Sequence, residues 1–442
     1  MKKAILLSVL LFFSIMLFSE YQPWIWTTQA GEQNLDEGYS VAFDSYGNSY
    51  ITGNFKGSIS FGNTRLISKG YQDIFVVKMD SQGNFVWIKQ AGGTSGTSEN
   101  SLNFGYSIAV TSSGISYITG SFLGTSTFGS TTLTSTAYYD IFVAKLDSNG
   151  NWLWAKQAGG NDIDISYGIA IDSDGNSYIT GNYFSSSITF GNTTLNNNGL
   201  NDIFVAKMNS SGNWLWAKQI GGDNFDSGYG IIVDSNKNIF VTGNFSSSSI
   251  TFGNITLNNT QSGESDIFVA MLNSSGNWSW ATQAGGTKTD VSNSIAIDSS
   301  GNSYITGIFY SGSITFGSIT LNNSGNGDIF VAKLNSSGSW LWAKQTGGTG
   351  YDEANGISID PSGNSYLTGS YENSIYFDSS LLTSSGDKDI FIAKLDSSGN
   401  WLWEKKAGGA LEDTGMDIAI DANGYCIITG YFLSTNSNFG NT

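Results

Sequence analysis

Seven positions in this 442-residue chain are placed to act on a ligand together. Asp36, Asn103, Asp164, Asp226, Asp290, Asp352 and Asp413 each stand eight residues before a turn, opened in turn by Asp44, Thr111, Asp172, Asp234, Asp298, Asp360 and Asp421. Six carboxylates and one amide at one repeated position have two readings. Gathered near an axis, they could bind Ca²⁺, which takes oxygen ligands, or a polyhydroxylated molecule. Held apart, each caps a turn or pairs with a local lysine. Carboxylates about 10 Å apart repel by about 0.4 kcal/mol in water and about 1.7 kcal/mol at an effective dielectric near 20. A cation is therefore needed only in a dry channel. Recurrence in every copy favours the capping role.

A second set is aromatic. Trp24 and Trp26, Trp87, Trp152 and Trp154, Trp214 and Trp216, Trp278 and Trp280, Trp340 and Trp342, and Trp401 and Trp403 account for all 13 tryptophans. Phe85 stands where the partner of Trp87 is expected. A spacing of two puts each pair on one face of a strand. Burying one indole removes roughly 200 Å² from water, on the order of 5 kcal/mol. Structural packing is the first reading, and platforms for sugar rings the second.

Other chemistry is excluded. The chain has no histidine and one cysteine, Cys426. That removes Ser-His-Asp catalysis, the commonest transition-metal ligand and an internal disulfide. Cys426 stands where other copies have Ser177 or Ser303, inside an expected strand, and reads as a core residue. Asp172-Ser-Asp174-Gly-Asn176 is similar to part of a calcium loop, but its equivalents at Asp298 and Asp360 lack the second carboxylate, so a hairpin turn is expected. A net charge of −17 and a pI of about 4.2 argue against nucleic acid as a partner. No cofactor is expected; Ca²⁺ at the aspartate positions is the one candidate.

These residues need a scaffold that repeats. Ile-Thr-Gly or a variant ends at Gly53, Gly120, Gly181, Gly243, Gly307, Gly369 and Gly430, and Asp-Ile-Phe starts at Asp73, Asp140, Asp202, Asp266, Asp328 and Asp389. Intervals of roughly 60–70 residues mean one supersecondary unit copied and stacked. In the fifth copy, 294–298 and 303–307 form one hairpin, 328–334 and 339–345 another, with a polar stretch between them. Four antiparallel strands per copy follow. Strand 328–334 is apolar on both faces, so each sheet must be covered on both sides, as in radially stacked blades.

The full pattern is Gly-Ile-Ala-Ile-Asp-x-x-Gly-Asn-x-Tyr-Ile-Thr-Gly, then Asp-Ile-Phe-Val-Ala-Lys-Leu-Asp-x-x-Gly-Asn-Trp-x-Trp-Ala-Lys-Gln-x-Gly-Gly. It resembles the bacterial β-propeller repeat family called SBBP, from Trp24 to Thr442. The resemblance implies an all-β propeller of about seven four-stranded blades and carries over no catalytic residue. The ends fit ring closure: 24–31 reads as a lone fourth strand and 418–430 as the first two strands of a seventh copy. That copy has no Asp-Ile-Phe, so its blade lacks a third strand or the sequence is truncated; truncation is the favoured reading. The expected domains are an export leader over 1–20, cut near Ser19 or Glu20, and a propeller over 21–442. Its units run 32–93, 94–160, 161–222, 223–286, 287–348, 349–409, and 410–442 with 21–31. No other segment could cross a membrane.

The functional expectation is an exported, non-enzymatic binding module for a glycan, a cell-envelope polymer or a protein. The rivals are a lyase or glycosidase working in the channel with Asp and Glu, Asp36 and Glu37 being the irregular pair, and a passive envelope component.

Overall fold

The computed structural model describes residues 10–16, 24–32, 34–93, 101–434 and 437–439. It is built from strands, with no helix among the described residues. The fifth copy shows the common plan. Strands Asp290–Ile297, Ser303–Phe309, Asp328–Leu334 and Trp340–Gly348 pair antiparallel in chain order. Five more four-stranded units begin at Asp36, Asn103, Asp164, Asp226 and Asp352. The third strands are buried along their length, as both-faced apolar patterning requires.

The polar stretch between second and third strands departs from the expectation. It folds as an additional hairpin, Ser313–Phe316 with Ile319–Asn322 in the fifth unit. Ile314 and Phe316 are fully buried, and Gly317 turns the chain at φ +62°. A strand of four residues carries too little alternation to stand out in sequence. The hairpin reaches back to the outermost strand of the preceding unit, through pairs such as Ala30–Phe61, Gly93–Ser126, Gly159–Thr189 and Gly285–Thr315. An edge that would otherwise stay open is thereby partly covered.

The tryptophans also join neighbours. Trp280 packs against Gly338 in the next unit's hairpin turn, and its Nε1 donates to the Ser336 carbonyl at 3.0 Å. Trp87 and Trp342 donate likewise to Ser148 and Ser397. The first indole of a pair stands edge-on to the phenylalanine of the added hairpin, as Trp214 does to Phe190 at 5.0 Å. Most of these indoles are half-buried; Trp24, at 8% exposure, is buried. Each therefore contributes less than a fully buried indole.

The innermost strands touch one another in chain order, and Asp413–Ile420 contacts both Asp352–Ile359 and Asp36–Phe43. Asp413–Ile420 and Cys426–Phe432 begin a further unit, which Trp24–Ala30 ends. The third-strand position, for which the sequence offers a missing strand or truncation and favours truncation, is instead filled from within the chain by Leu10–Met16. Its register matches the other third strands: Phe12 faces Gly430 as Phe330 faces Gly307, and Met16 faces Cys426 as Leu334 faces Ser303. An apolar run of strand length can satisfy two open edges even without the leading aspartate of its counterparts. The expected cleavage point at Ser19 or Glu20 lies outside the described residues.

Candidate functional site

The expected ring positions sit at the start of each innermost strand, and all are fully buried. The Asp164 carboxylate accepts the Gly160 N–H at 2.7 Å and the Ser185 hydroxyl at 2.9 Å. Asp226 takes Gly222 and Ser247, and Asp413 takes Gly409 and Ser434. Asp290 accepts from Ser311, Asp352 from Gly348, and Asp36 from the Glu32 N–H at 3.0 Å. Asn103 donates to the Gln72 carbonyl at 2.9 Å. This is turn-capping geometry. The glycine pair makes room for it: a Cβ on Gly159 would lie 2.1 Å from the Asp140 carboxylate, and one on Gly160 2.5 Å from Ser185.

Burial pushes the Asp36 carboxyl up to about 8, those of Asp164, Asp290 and Asp352 to about 7, and those of Asp226 and Asp413 to about 6. A second buried carboxylate at the head of the preceding third strand adds to this, as Asp140 does for Asp164. Among the described residues, no three carboxylates or thiols gather where they could hold a metal ion. The calcium-loop fragment is a hairpin turn: Asp172 accepts the N–H groups of Asp174 and Asn176, and Asp174 pairs with Lys237 at 2.5 Å. Cys426 is buried in its strand.

The structure brings together a different set of residues. Each innermost strand slips by one residue against its neighbour, and the residue left out of register is Tyr39, Tyr106, Tyr167, Tyr229, Asn293, Asn355 or Met416. A bulge re-aims the side chain it releases. Here these side chains line a central cavity of about 150 Å³, whose wall draws on all seven innermost strands. Tyr39, Tyr106, Tyr167 and Tyr229 follow one another at centroid distances of 5.2, 5.5 and 5.1 Å, with planes inclined 48–60°. Asn293 and Asn355 lie across from them. Their side-chain N–H groups donate to the carbonyls of Ala354 and Gly415, so their oxygens remain for the cavity.

Asp417 adds a carboxylate to this wall, at a position held elsewhere by Ser40, Ser107, Gly168, Gly230, Ser294 and Gly356. It accepts from the Ser40 hydroxyl and the Val41 N–H, both at 2.9 Å, and from its own neighbour Ile418. Burial pushes its carboxyl up to about 6. Glu37 and Glu353 stand beside the tyrosines and asparagines, already engaged by Tyr39 at 2.6 Å and by Asn293 at 2.9 Å. The sequence reading missed these residues. Variation between copies did not mark them: the second position of the innermost strand, paired in register, varies more (Glu37, Phe104, Ile165, Ser227, Val291, Glu353, Thr414) than the fourth, which is Tyr in four copies, Asn in two and Met in one.

Residues 25–54, 153–182, 215–244, 279–307 and 341–370 match the model of a beta-propeller repeat, SBBP. The chain carries SBBP repeats. Each match runs from an outermost strand into the first two strands of the next unit, so it includes both a tryptophan of the outer strand and a cavity residue. An uncharacterized WD repeat-containing protein of Acanthamoeba polyphaga mimivirus is 24% identical over 95% of this chain and 37% of its own length. Regulatory protein FlaEY of Caulobacter vibrioides is 26% identical over 40% of this chain and 18% of its own length. The chain thus spans well under half the length of either relative. Among solved structures, BamB from Moraxella catarrhalis aligns over 92% of this chain and 88% of its own, at 11% identity and a TM-score of 0.38. The WD40 beta propeller domain of Doa1 aligns over 92% and 96%, at 8% identity and a TM-score of 0.45.

Proposed function

We propose that this SBBP-repeat protein is an exported, non-enzymatic binding module: a closed propeller of seven blades that takes a small polar ligand, or the end of a polymer, in its central cavity. One observation carries the reading. The out-of-register residues of all seven innermost strands line one cavity, four of them tyrosines, two asparagines and one methionine, with the Asp417 carboxylate beside them. A concave wall of aromatic side chains with a few convergent polar groups is the usual make-up of a small-ligand site. WD-repeat resemblance is consistent with an interaction role. The test is a screen of glycans, envelope polymer and cell extract against the chain, with competition by Tyr167→Leu and Tyr229→Leu. Binding that these variants leave untouched removes the central cavity from the account.

A second reading rests on Asp417. A lone axial carboxyl with its pKa raised to about 6 suits a general acid, which would make the protein a carbohydrate-active enzyme. Glycan cleavage that Asp417→Asn abolishes would establish it.

A further inference from the structure

We infer that the central cavity binds a small organic ammonium group, such as an alkylammonium ion or the amine of an amino sugar. This rests on the binding-module reading and names the ligand chemistry of that site. The argument begins with what the wall can offer. Asn355 spends a side-chain N–H on the Gly415 carbonyl, and Asn293 spends its own on Ala354 and Glu353. Asn293 thereby has its oxygen left over, and Asn355 its oxygen and one N–H. The Tyr39 hydroxyl donates to Glu37, and the Ser40 hydroxyl to Asp417. The carboxylate and both amides therefore present acceptors to a guest, while four tyrosines supply aromatic π density.

Asp417 makes the selection sharper. Its partners are a hydroxyl and two backbone N–H groups, and among the described residues no lysine or arginine pairs with it. A carboxylate among neutral dipoles and aromatic rings is stabilised by a cation that enters. The chain's net charge of −17 raises the local concentration of cations. A divalent metal fits poorly, because among the described residues no three carboxylates gather within reach of one ion. A volume of about 150 Å³ admits a small ion or a terminal group, not a chain passing through.

The test is calorimetric titration of the full chain with tetramethylammonium and, separately, with its neutral counterpart neopentyl alcohol. Glucosamine and glucose form a second pair. Saturable binding of the ammonium member of each pair is expected. Asp417→Ser should weaken it roughly tenfold or more, and the Tyr167→Leu/Tyr229→Leu pair by several-fold. Serine already stands at this position in Ser40, Ser107 and Ser294, so Asp417→Ser is compatible with the fold, and a melting curve checks it. Equal binding of the neutral members, undiminished binding by Asp417→Ser, or displacement by equimolar potassium overturns the inference. Glycan or protein capture through the cavity without ammonium binding overturns it and leaves the binding module standing. Absence of any cavity ligand removes both.

Discussion

Asp417 accepts the backbone N–H of Val41 at 2.9 Å, joining residues 376 apart in the chain. The same link recurs between neighbouring innermost strands, where Ser40 accepts from Ile108, Ser107 from Ile169 and Ser294 from Ile357. Asp417 therefore joins the final unit to the first as well as charging the cavity. Asp417→Ala leaves the Val41 N–H and the Ser40 hydroxyl without their partner and is expected to cost about 1–3 kcal/mol. Asp417→Ser restores a hydroxyl acceptor and is expected to cost less than about 1 kcal/mol. Urea midpoints of the two variants decide this, and equal losses would refute it.

Stability should fall as pH rises from about 4 to 8.5. The carboxyls of Asp36, Asp164, Asp290 and Asp352 have folded pKa values of about 7 to 8, well above the ordinary value near 3.9. In that window the native chain holds protons that the unfolded chain has released. Stabilisation is complete below the unfolded pKa and is lost as pH passes the folded one. Glu32, held near 2 by the Arg65 guanidinium, acts in the opposite sense and loses its contribution below about pH 4. The highest Tm is expected near pH 4. Asp164→Asn, which copies the natural amide Asn103, should flatten the slope between pH 4 and 7; an unchanged slope would show that this group does not contribute.

Calcium removal should leave Tm unchanged. The ring carboxylates already accept backbone N–H and serine hydroxyl donors within their own units. A drop of several degrees on adding chelator, reversed by calcium, would restore the cation reading.

Trp280→Ala should destabilise by about 2 kcal/mol, because it removes an indole packed on Gly338 and its bond to Ser336. Leu341→Ala, on the 49%-exposed outer face of an equivalent strand, should stay within about 0.5 kcal/mol. Comparable losses from both would mean that the outward leucine is covered in solution.

A chain started at Tyr21 lacks Leu10–Met16 and exposes the facing edges of Cys426–Phe432 and Trp24–Ala30. We expect its Tm to drop by about 5 °C or more, with association that grows with concentration. Adding a peptide of residues 10–16 should reverse both effects. Mass spectrometry of the protein recovered from its native cells tests whether residues 1–20 are removed.

Much of the scaffold was legible because each signal was repeated. Asp-Ile-Phe, Ile-Thr-Gly and the paired tryptophans recur often enough to separate pattern from accident, and each corresponds to a strand in the structure. The added hairpin was not legible: Ser313–Phe316 is short, and its burial depends on an adjoining unit. The ring aspartates were visible, yet spacing could not distinguish carboxylates converging on an ion from carboxylates turned to local serines. Tyr167 and Asn293 carried the opposite problem, since departure from a repeat looks like drift until a cavity joins the departures.

By itself, the chain's order of residues determined the repeating unit, its strands and its turns, because those depend on near neighbours and on the period-two alternation of side chains. The tertiary structure alone decided which variable residues meet. One bulge in each innermost strand turns a side chain toward a shared space, so Tyr39, Asn293 and Met416 line the same cavity although more than a hundred residues separate each from the next. Such convergence depends on how whole sheets are arranged around one another, and no local rule of spacing contains that information.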